Sequence, residues 1–253
     1  MRAGPAAYAG RVSKPLFEIL DYVDTPIGAL CLRRRELLGR PGVIVHEVTL
    51  EHEMLMSSLN TASEEALARL AVERHGGQGL SVLVGGLGLG YTAAAALASP
   101  RVARVRVVEL LPEVIGWLRD GKVPLSPTLA ADPRLEVVQG DVYGQLLGPP
   151  VQGQAPWDLV LIDVDHSPDE RLDASSRSFY TSAGLRRVAA HVAPGGLLGV
   201  WSAGDDDPGF AGALGQVFAD VTRDRVRFTD ERIDEGQELE DVLFFARRPR
   251  PGQ

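Results

Sequence analysis

An apolar run that passes straight into alternating glycines and then into a helix-forming segment narrows the folds open to this chain more than any other feature. The run is Val82-Leu83-Val84-Gly85-Gly86-Leu87-Gly88-Leu89-Gly90-Tyr91-Thr92. Residues 81–84 are apolar and β-rich and read as a strand, and residues 92–98 read as a helix. The glycines between them turn the chain tightly. Positions without side chains let a ligand lie against the backbone, and a helix N-terminus offers free N–H groups. Such a loop also serves as a strand-to-helix turn with no ligand, so the residues downstream decide. Residues 102–110 read as the next strand, and Glu109 near its end stands roughly 20 residues beyond the loop, where an acid meets a ribose diol. Gly140-Asp141 closes a third strand at 135–138, where an acid can meet an adenine edge. Gly86, Gly88 and Gly90 alternate, whereas the dinucleotide fingerprint G-x-G-x-x-G spaces its last two glycines more widely. The expected ligand is therefore an adenosine-type nucleoside over Gly86, Gly88 and Gly90, with Glu109 at the ribose and Asp141 near the base.

The surrounding periodicity supplies the fold. Residues 157–163 form a nearly all-apolar strand, so they are expected to be buried on both faces. Residues 179–191 read as a helix, Pro194-Gly195-Gly196 as a turn, 197–202 as a strand and 210–218 as a helix. Two further strands, 221–228 and 241–246, enclose a polar hairpin. Alternating β and α elements give a doubly wound, mostly parallel α/β sheet, here with an antiparallel terminal hairpin. Ahead of it, 17–23, 29–33 and 43–50 are short strand-like runs broken by Thr25-Pro26, Gly28 and Pro41-Gly42, a small β-meander. From 51 to 73 the spacing of Met54, Leu55, Leu59, Leu67, Leu70 and Ala71 is helical, with Ser63-Glu64-Glu65 reading as a capped helix start. The expected organisation is a loose tail (1–15), a small β-domain (16–60), a nucleoside-binding domain (61–248) and a second tail (249–253).

Composition limits the partners. The 253 residues are 45% hydrophobic and 24% charged, with a formal net charge of −8. An acidic chain of this kind argues against nucleic-acid binding, which needs a basic face, and is compatible with a cationic substrate. Cys31 is the single cysteine; in the apolar run from Ile27 to Leu32 it reads as a buried structural thiol. With no disulfide possible, no signal-peptide-like stretch and no apolar segment long enough to span a bilayer, the expectation is a soluble cytoplasmic protein that uses no membrane.

With these residues in view, the sequence from about Phe17 to Ala246 resembles the spermidine synthase family, whose members share the Rossmann-like fold of class I methyltransferases. The family has a small N-terminal β-domain and then a Tyr-His-Glu-Met-Leu segment, where this chain has Glu51-His52-Glu53-Met54-Leu55. Its Asp-x-x-Asp-Pro after the fourth strand corresponds to Asp163-Val164-Asp165-His166-Ser167-Pro168, and its Phe-Tyr pair to Phe179-Tyr180. The resemblance implies a transferase that uses S-adenosylmethionine or decarboxylated S-adenosylmethionine as co-substrate and moves an aminopropyl group to an amine, a polyamine being the acceptor. It implies that His52 joins the nucleoside site and that Asp163 is the base. It also implies that Asp165, His166, Tyr180 and Trp201 line the acceptor site, and that a homodimer forms through the β-domain. The chain departs from the family at four places. Leu89 replaces the loop Asp that holds the donor's amine, Glu51 replaces a Tyr, the second Asp is displaced to Asp165 or replaced by His166, and Trp201 stands near a family Gln.

Two alternatives stay open. Ile162-Asp163-Val164-Asp165-His166 also resembles the Ile-Asp-x-Asp segment of metal-dependent O-methyltransferases, whose first Asp is a Mg²⁺ ligand. Those enzymes need an Asp-Asn after the fifth strand; Trp201-Ser202 stands there, so no metal is expected. The other alternative is a nucleoside-binding protein without turnover. From the residues alone, Asp163 is either a strand-end carboxylate that orients and deprotonates an amine or one that caps local N–H groups. Trp201 is either a face for a cation or part of the core.

Overall fold

The computed structural model describes residues 16–38, 40–51, 53–164, 174–204, 207–230 and 237–252. Four antiparallel strands come first: β1 (Phe17–Thr25), β2 (Gly28–Glu36), β3 (Ile44–Leu50) and β4 (Glu53–Ser57), paired in chain order. Alternation separates the two faces of this sheet. Leu30, Leu32 and Val48 are buried in the same core as Val82, Val84 and Leu159, while Phe17, Ile19 and Tyr22 of β1 are exposed. Glu47 is fully buried, its carboxylate held by Arg33 at 2.8 Å and Arg35 at 2.7 Å.

The helical reading of the stretch from 51 onward fails over its first part. Leu50 pairs with Glu53 across a tight turn, Glu51 takes a left-handed φ of 55°, and β4 runs back along β3. Short apolar runs fit either period, and the pairing edge offered by β3 decides this one. The helix α1 (Ala62–His75) begins only after it.

A seven-stranded sheet follows. Its parallel members are β5 (Leu80–Gly85), β6 (Val102–Glu109), β7 (Leu135–Gln139), β8 (Trp157–Ile162) and β9 (Val192–Ala203). The hairpin β10 (Ala219–Asp230) and β11 (Gln237–Arg247) adds on antiparallel to β9, giving the order β10-β11-β9-β8-β5-β6-β7. Between the strands lie α2 (Tyr91–Leu97), α3 (Pro112–Arg119), α4 (Ser126–Ala131), α5 (Val142–Leu147), α6 (Ser182–Ala189) and α7 (Pro208–Gly215), with a 3₁₀ turn at Ala174–Ser178. The central strands bury both faces. Val82, Val84, Leu159 and Leu161 belong to the core under α1 and α2; Leu83, Val160 and Ile162 belong to the core under α5 and α6. The turn expected at Pro194-Gly195-Gly196 is absorbed into β9 as a bulge: Gly195 has φ 83°, and pairing with β8 jumps from Val192 to Leu197. No helix among the described residues is long and apolar enough to cross a membrane.

The chain winds in opposite directions on the two sides of β5, from β5 to β6 and from β5 to β8. In open α/β sheets a ligand crevice forms at such a switch point, beyond the carboxyl ends of the strands. The glycine loop leaves the end of β5 there, with Glu109 beside it at the end of β6 and Asp163 on the other side, just past β8.

Candidate functional site

The loop is pressed against its surroundings in a way only glycine allows. Gly86, Gly88 and Gly90 have φ of 89°, 51° and 94°. A Cβ on Gly86 would lie 2.3 Å from the carbonyl oxygen of Asp163, so the loop and the end of β8 touch backbone to backbone. The Gly86 N–H donates to the carbonyl of Val108 at 2.9 Å. Between the glycines, Leu87 and Leu89 turn into the core, which leaves the loop without a charged side chain.

Glu109 ties the loop to the neighbouring strand end. One of its carboxylate oxygens accepts the Leu87 N–H at 2.8 Å and the other the Leu111 N–H at 2.8 Å. Burial pushes its pKa up, and the backbone N–H groups of Leu111, Leu87, Leu110 and Gly88 pull it back. The carboxylate is thus held between the loop and the turn that follows β6. Asp141, past the end of β7, is exposed and caps α5 by accepting the Tyr143 N–H at 2.9 Å. Both acids expected at the nucleoside thus stand on the same sheet edge as the loop.

On the β8 side the structure gathers three carboxylates. Asp163 donates its N–H to the Gly85 carbonyl at 3.0 Å and accepts the Thr92 hydroxyl at 2.5 Å. Asp241 of β11 accepts the Ser63 hydroxyl at 2.6 Å and the Trp201 indole N–H at 3.2 Å. Glu64, in the first turn of α1, lies 3.1 Å from the same Ser63 hydroxyl. Burial, and then the charge of Asp163, push the Glu64 pKa from an ordinary 4.5 to about 8. Burial raises Asp163 to about 6, with Asp241 adding to the rise and the Thr92 hydroxyl opposing it. Asp241 is raised chiefly by burial, against the bonds from Ser63 and Trp201. Burial and mutual repulsion thus favour the protonated form within this group. Strongly displaced carboxylates at a ligand crevice are a mark of functional sites.

Sequence reasoning found Asp163 and Trp201 here but missed Glu64, Asp241, Ser63 and Thr92. The sequence signal for Glu64 is the run Ser63-Glu64-Glu65, which reads as a capped helix start. The N-cap is instead Thr61, whose side chain makes no capping bond, and Ser63 reaches across to Asp241. Tyr180 is buried in an aromatic group. Its hydroxyl is 3.1 Å from that of Tyr143, and its ring meets Phe179 and Phe210 edge-on at 5.0 and 5.2 Å. Trp201 is half-buried at the rim of the carboxylate cluster. Cys31 is a buried free thiol. His52, Asp165 and His166 lie outside the described residues. Among the described residues no group of three or more His, Cys, Asp or Glu is disposed to hold a metal ion.

Against solved structures, the fold of this chain matches that of a spermidine synthase in complex with the transition-state analogue AdoDATO. The TM-score is 0.69 at 16% identity, over 90% of this chain and 73% of that one. The chain has the fold of a spermidine synthase. The spermidine synthase from Thermotoga maritima gives a TM-score of 0.64 at 15% identity, over 90% of this chain and 72% of that one. The match to spermidine synthases covers the small antiparallel sheet as well as the parallel one, since either sheet alone is less than 90% of the chain. No family model matches the sequence, and no curated protein matches it, so the likeness to spermidine synthases is carried by the backbone.

Proposed function

We propose that the protein is a spermidine synthase-like transferase that moves the aminopropyl group of decarboxylated S-adenosylmethionine to an amine, with a polyamine as acceptor. The observation that carries this reading is the group Glu64, Asp163 and Asp241 beside the glycine loop. A sulfonium nucleoside and an amine are both cations, and an opposite charge favours the ionised form of buried carboxylates. The AdoDATO bound to one of the similar spermidine synthases supports the same donor class.

In this scheme the nucleoside lies over Gly86 to Gly90, with its ribose hydroxyls on Glu109 and its base towards Asp141. Asp163 orients the acceptor amine and takes its proton. The amine lone pair forms a bond to the aminopropyl carbon attached to sulfur, the bond between that carbon and sulfur breaks, and its electrons remain on sulfur as the neutral thioether methylthioadenosine. Tyr180 and Trp201, together with His52, Asp165 and His166, complete the assignment taken from the resemblance. A homodimer through the outer face of the N-terminal sheet would cover Phe17, Ile19 and Tyr22, which are 59%, 56% and 64% exposed.

Product analysis with each sulfonium nucleoside and a panel of diamines and polyamines tests the reading. Methylthioadenosine is the expected product. S-Adenosylhomocysteine would show methyl transfer instead, and binding without either product a non-catalytic protein. Asp163→Asn keeps the shape and removes the base, and should retain nucleoside binding while turnover drops roughly 10²–10⁴-fold. Undiminished turnover would remove Asp163 from the chemistry.

A further inference from the structure

The strand order gives the bound nucleoside a direction. Glu109 ends β6 on one side of β5, and Asp163 follows β8 on the other. With the ribose on Glu109, the 5′ end of the nucleoside points across the loop towards Asp163, α1 and β11, where Glu64 and Asp241 stand. The loop contributes no charge of its own there, because Leu87 and Leu89 are buried in the core. The three carboxylates are unequally satisfied. Asp163 has the Thr92 hydroxyl at 2.5 Å, and Asp241 has both the Ser63 hydroxyl and the Trp201 indole. Glu64 has a single side-chain partner among the described residues, the Ser63 hydroxyl at 3.1 Å, which sits closer to Asp241 at 2.6 Å. It is the member of the cluster with most capacity left for a cation.

We propose that Glu64 is the donor-specificity residue: its carboxylate takes the primary ammonium of an aminopropyl-bearing sulfonium nucleoside and turns away a nucleoside that keeps an α-carboxylate beside that ammonium. The assignment rests on the sulfonium-nucleoside reading of the site given above. Its chemistry is charge selection. An ammonium at this place favours the ionised form of Glu64, whereas an α-carboxylate adds an anion beside Asp163 and Asp241, a juxtaposition that suppresses the wrong ligand. A carboxylate on α1 thus supplies the charge that the glycine loop lacks. The groups facing Glu64 are Asp163 from just past β8, Asp241 from β11 and the Tyr91 phenol from α2, with Glu65 next to it on α1. An ammonium placed among them ionises Glu64, so binding of the decarboxylated nucleoside at neutral pH releases a proton.

The test is titration calorimetry of the full chain and of Glu64→Gln with three probes: methylthioadenosine, which lacks both ammonium and α-carboxylate, S-adenosylmethionine, and its decarboxylated form. Each titration is run in buffers of different ionisation enthalpy so that proton release is read directly. Methylthioadenosine should bind both proteins alike, which also shows that the variant is folded. Decarboxylated S-adenosylmethionine should bind Glu64→Gln roughly 10–100-fold more weakly, the worth of one charge-assisted hydrogen bond. S-Adenosylmethionine should lose nothing, so the preference between the two collapses and the released proton disappears. Glu64→Asp, which keeps the charge on a shorter arm, should keep the sense of the preference. Equal preference in wild type and Glu64→Gln, with methylthioadenosine bound by both, would overturn the role of Glu64 and leave the nucleoside site standing. No binding of any of the three by the wild type would overturn the nucleoside reading and this assignment with it.

Discussion

At Gly86 two constraints meet in one residue. Its φ of 89° is one that an L-residue adopts at a cost of about 1–2 kcal/mol, and an added methyl would enter the van der Waals shell of the Asp163 carbonyl at 2.3 Å. Backbone cannot step aside as a flexible side chain does, so Gly86→Ala must push the end of β8 away from β5. Overpacking of this sort adds about 1–3 kcal/mol. The expected loss is on the order of 3 kcal/mol, read as a lower midpoint in urea. Nucleoside affinity should fall with it, because the displaced strand end carries Asp163 and the displaced loop carries the N–H of Leu87 that Glu109 holds. A variant with wild-type midpoint and affinity would show that the loop does not need this contact.

Among the elements, β1 illustrates how the small sheet is fastened to the large one. Its register shifts between Ile19 and Asp21, and Asp21 turns to accept the Trp117 indole N–H and the Lys122 ammonium, each at 2.8 Å. The Lys122 hydrogen bond is the main cause holding the Asp21 carboxyl below its usual range; the stabilisation is present above the ordinary carboxylate pKa and lost as pH falls through the lowered one. Trp117 is almost wholly buried, so Asp21→Ala strands its N–H and should cost about 1–3 kcal/mol. Asp21→Asn keeps an acceptor for the indole and loses only a half-exposed ion pair, about 1 kcal/mol or less. Equal midpoints for the two variants in urea would contradict this division. None of this was legible in the sequence, where Asp21 is one acid in a strand-like run. What was legible follows from the same physics. Strands buried on both faces read as unbroken apolar runs, so β5 and β8 stood out, and the glycines and Glu109 followed in order. The segment Glu53–Ser57 reads as helix because its methionines and leucine fit that period locally, and only β3 selects the strand. Ser63 and Asp241 are 178 residues apart, and no local pattern links a helix start to the first buried acid of the closing strand. Half of the candidate site is therefore made by topology.

For the molecule as a whole, a buried carboxylate group must appear in the pH dependence of stability, and its sign is fixed. Glu64 has a folded pKa raised to about 8 against an ordinary 4.5. Between those values the folded state holds a proton that the unfolded chain has released, so stability falls as pH rises. Below pH 7 the trend is mixed with other groups: Asp163, raised to about 6, acts in the same sense, while His46 and His75, both lowered mainly by burial, act in the opposite one. Above pH 7 those groups have largely finished titrating, and Tyr91, raised above 10, has not begun. From pH 7 to 9 the ionisation of Glu64 should remove roughly 1 kcal/mol of stability, which for a chain of this size is a fall in Tm of about 3 °C. Glu109 is raised too but contributes equally to wild type and to Glu64→Gln, so the difference between their two Tm–pH curves reports Glu64 together with the carboxylates coupled to it, Asp163 and Asp241. That difference should widen steadily from pH 7 to 9, with the variant the more stable at pH 9. Adding decarboxylated S-adenosylmethionine should narrow it again, because an ammonium beside Glu64 stabilises the charge that high pH creates. Parallel curves without ligand would mean that Glu64 is already ionised at pH 7 and that the cluster stores no proton there.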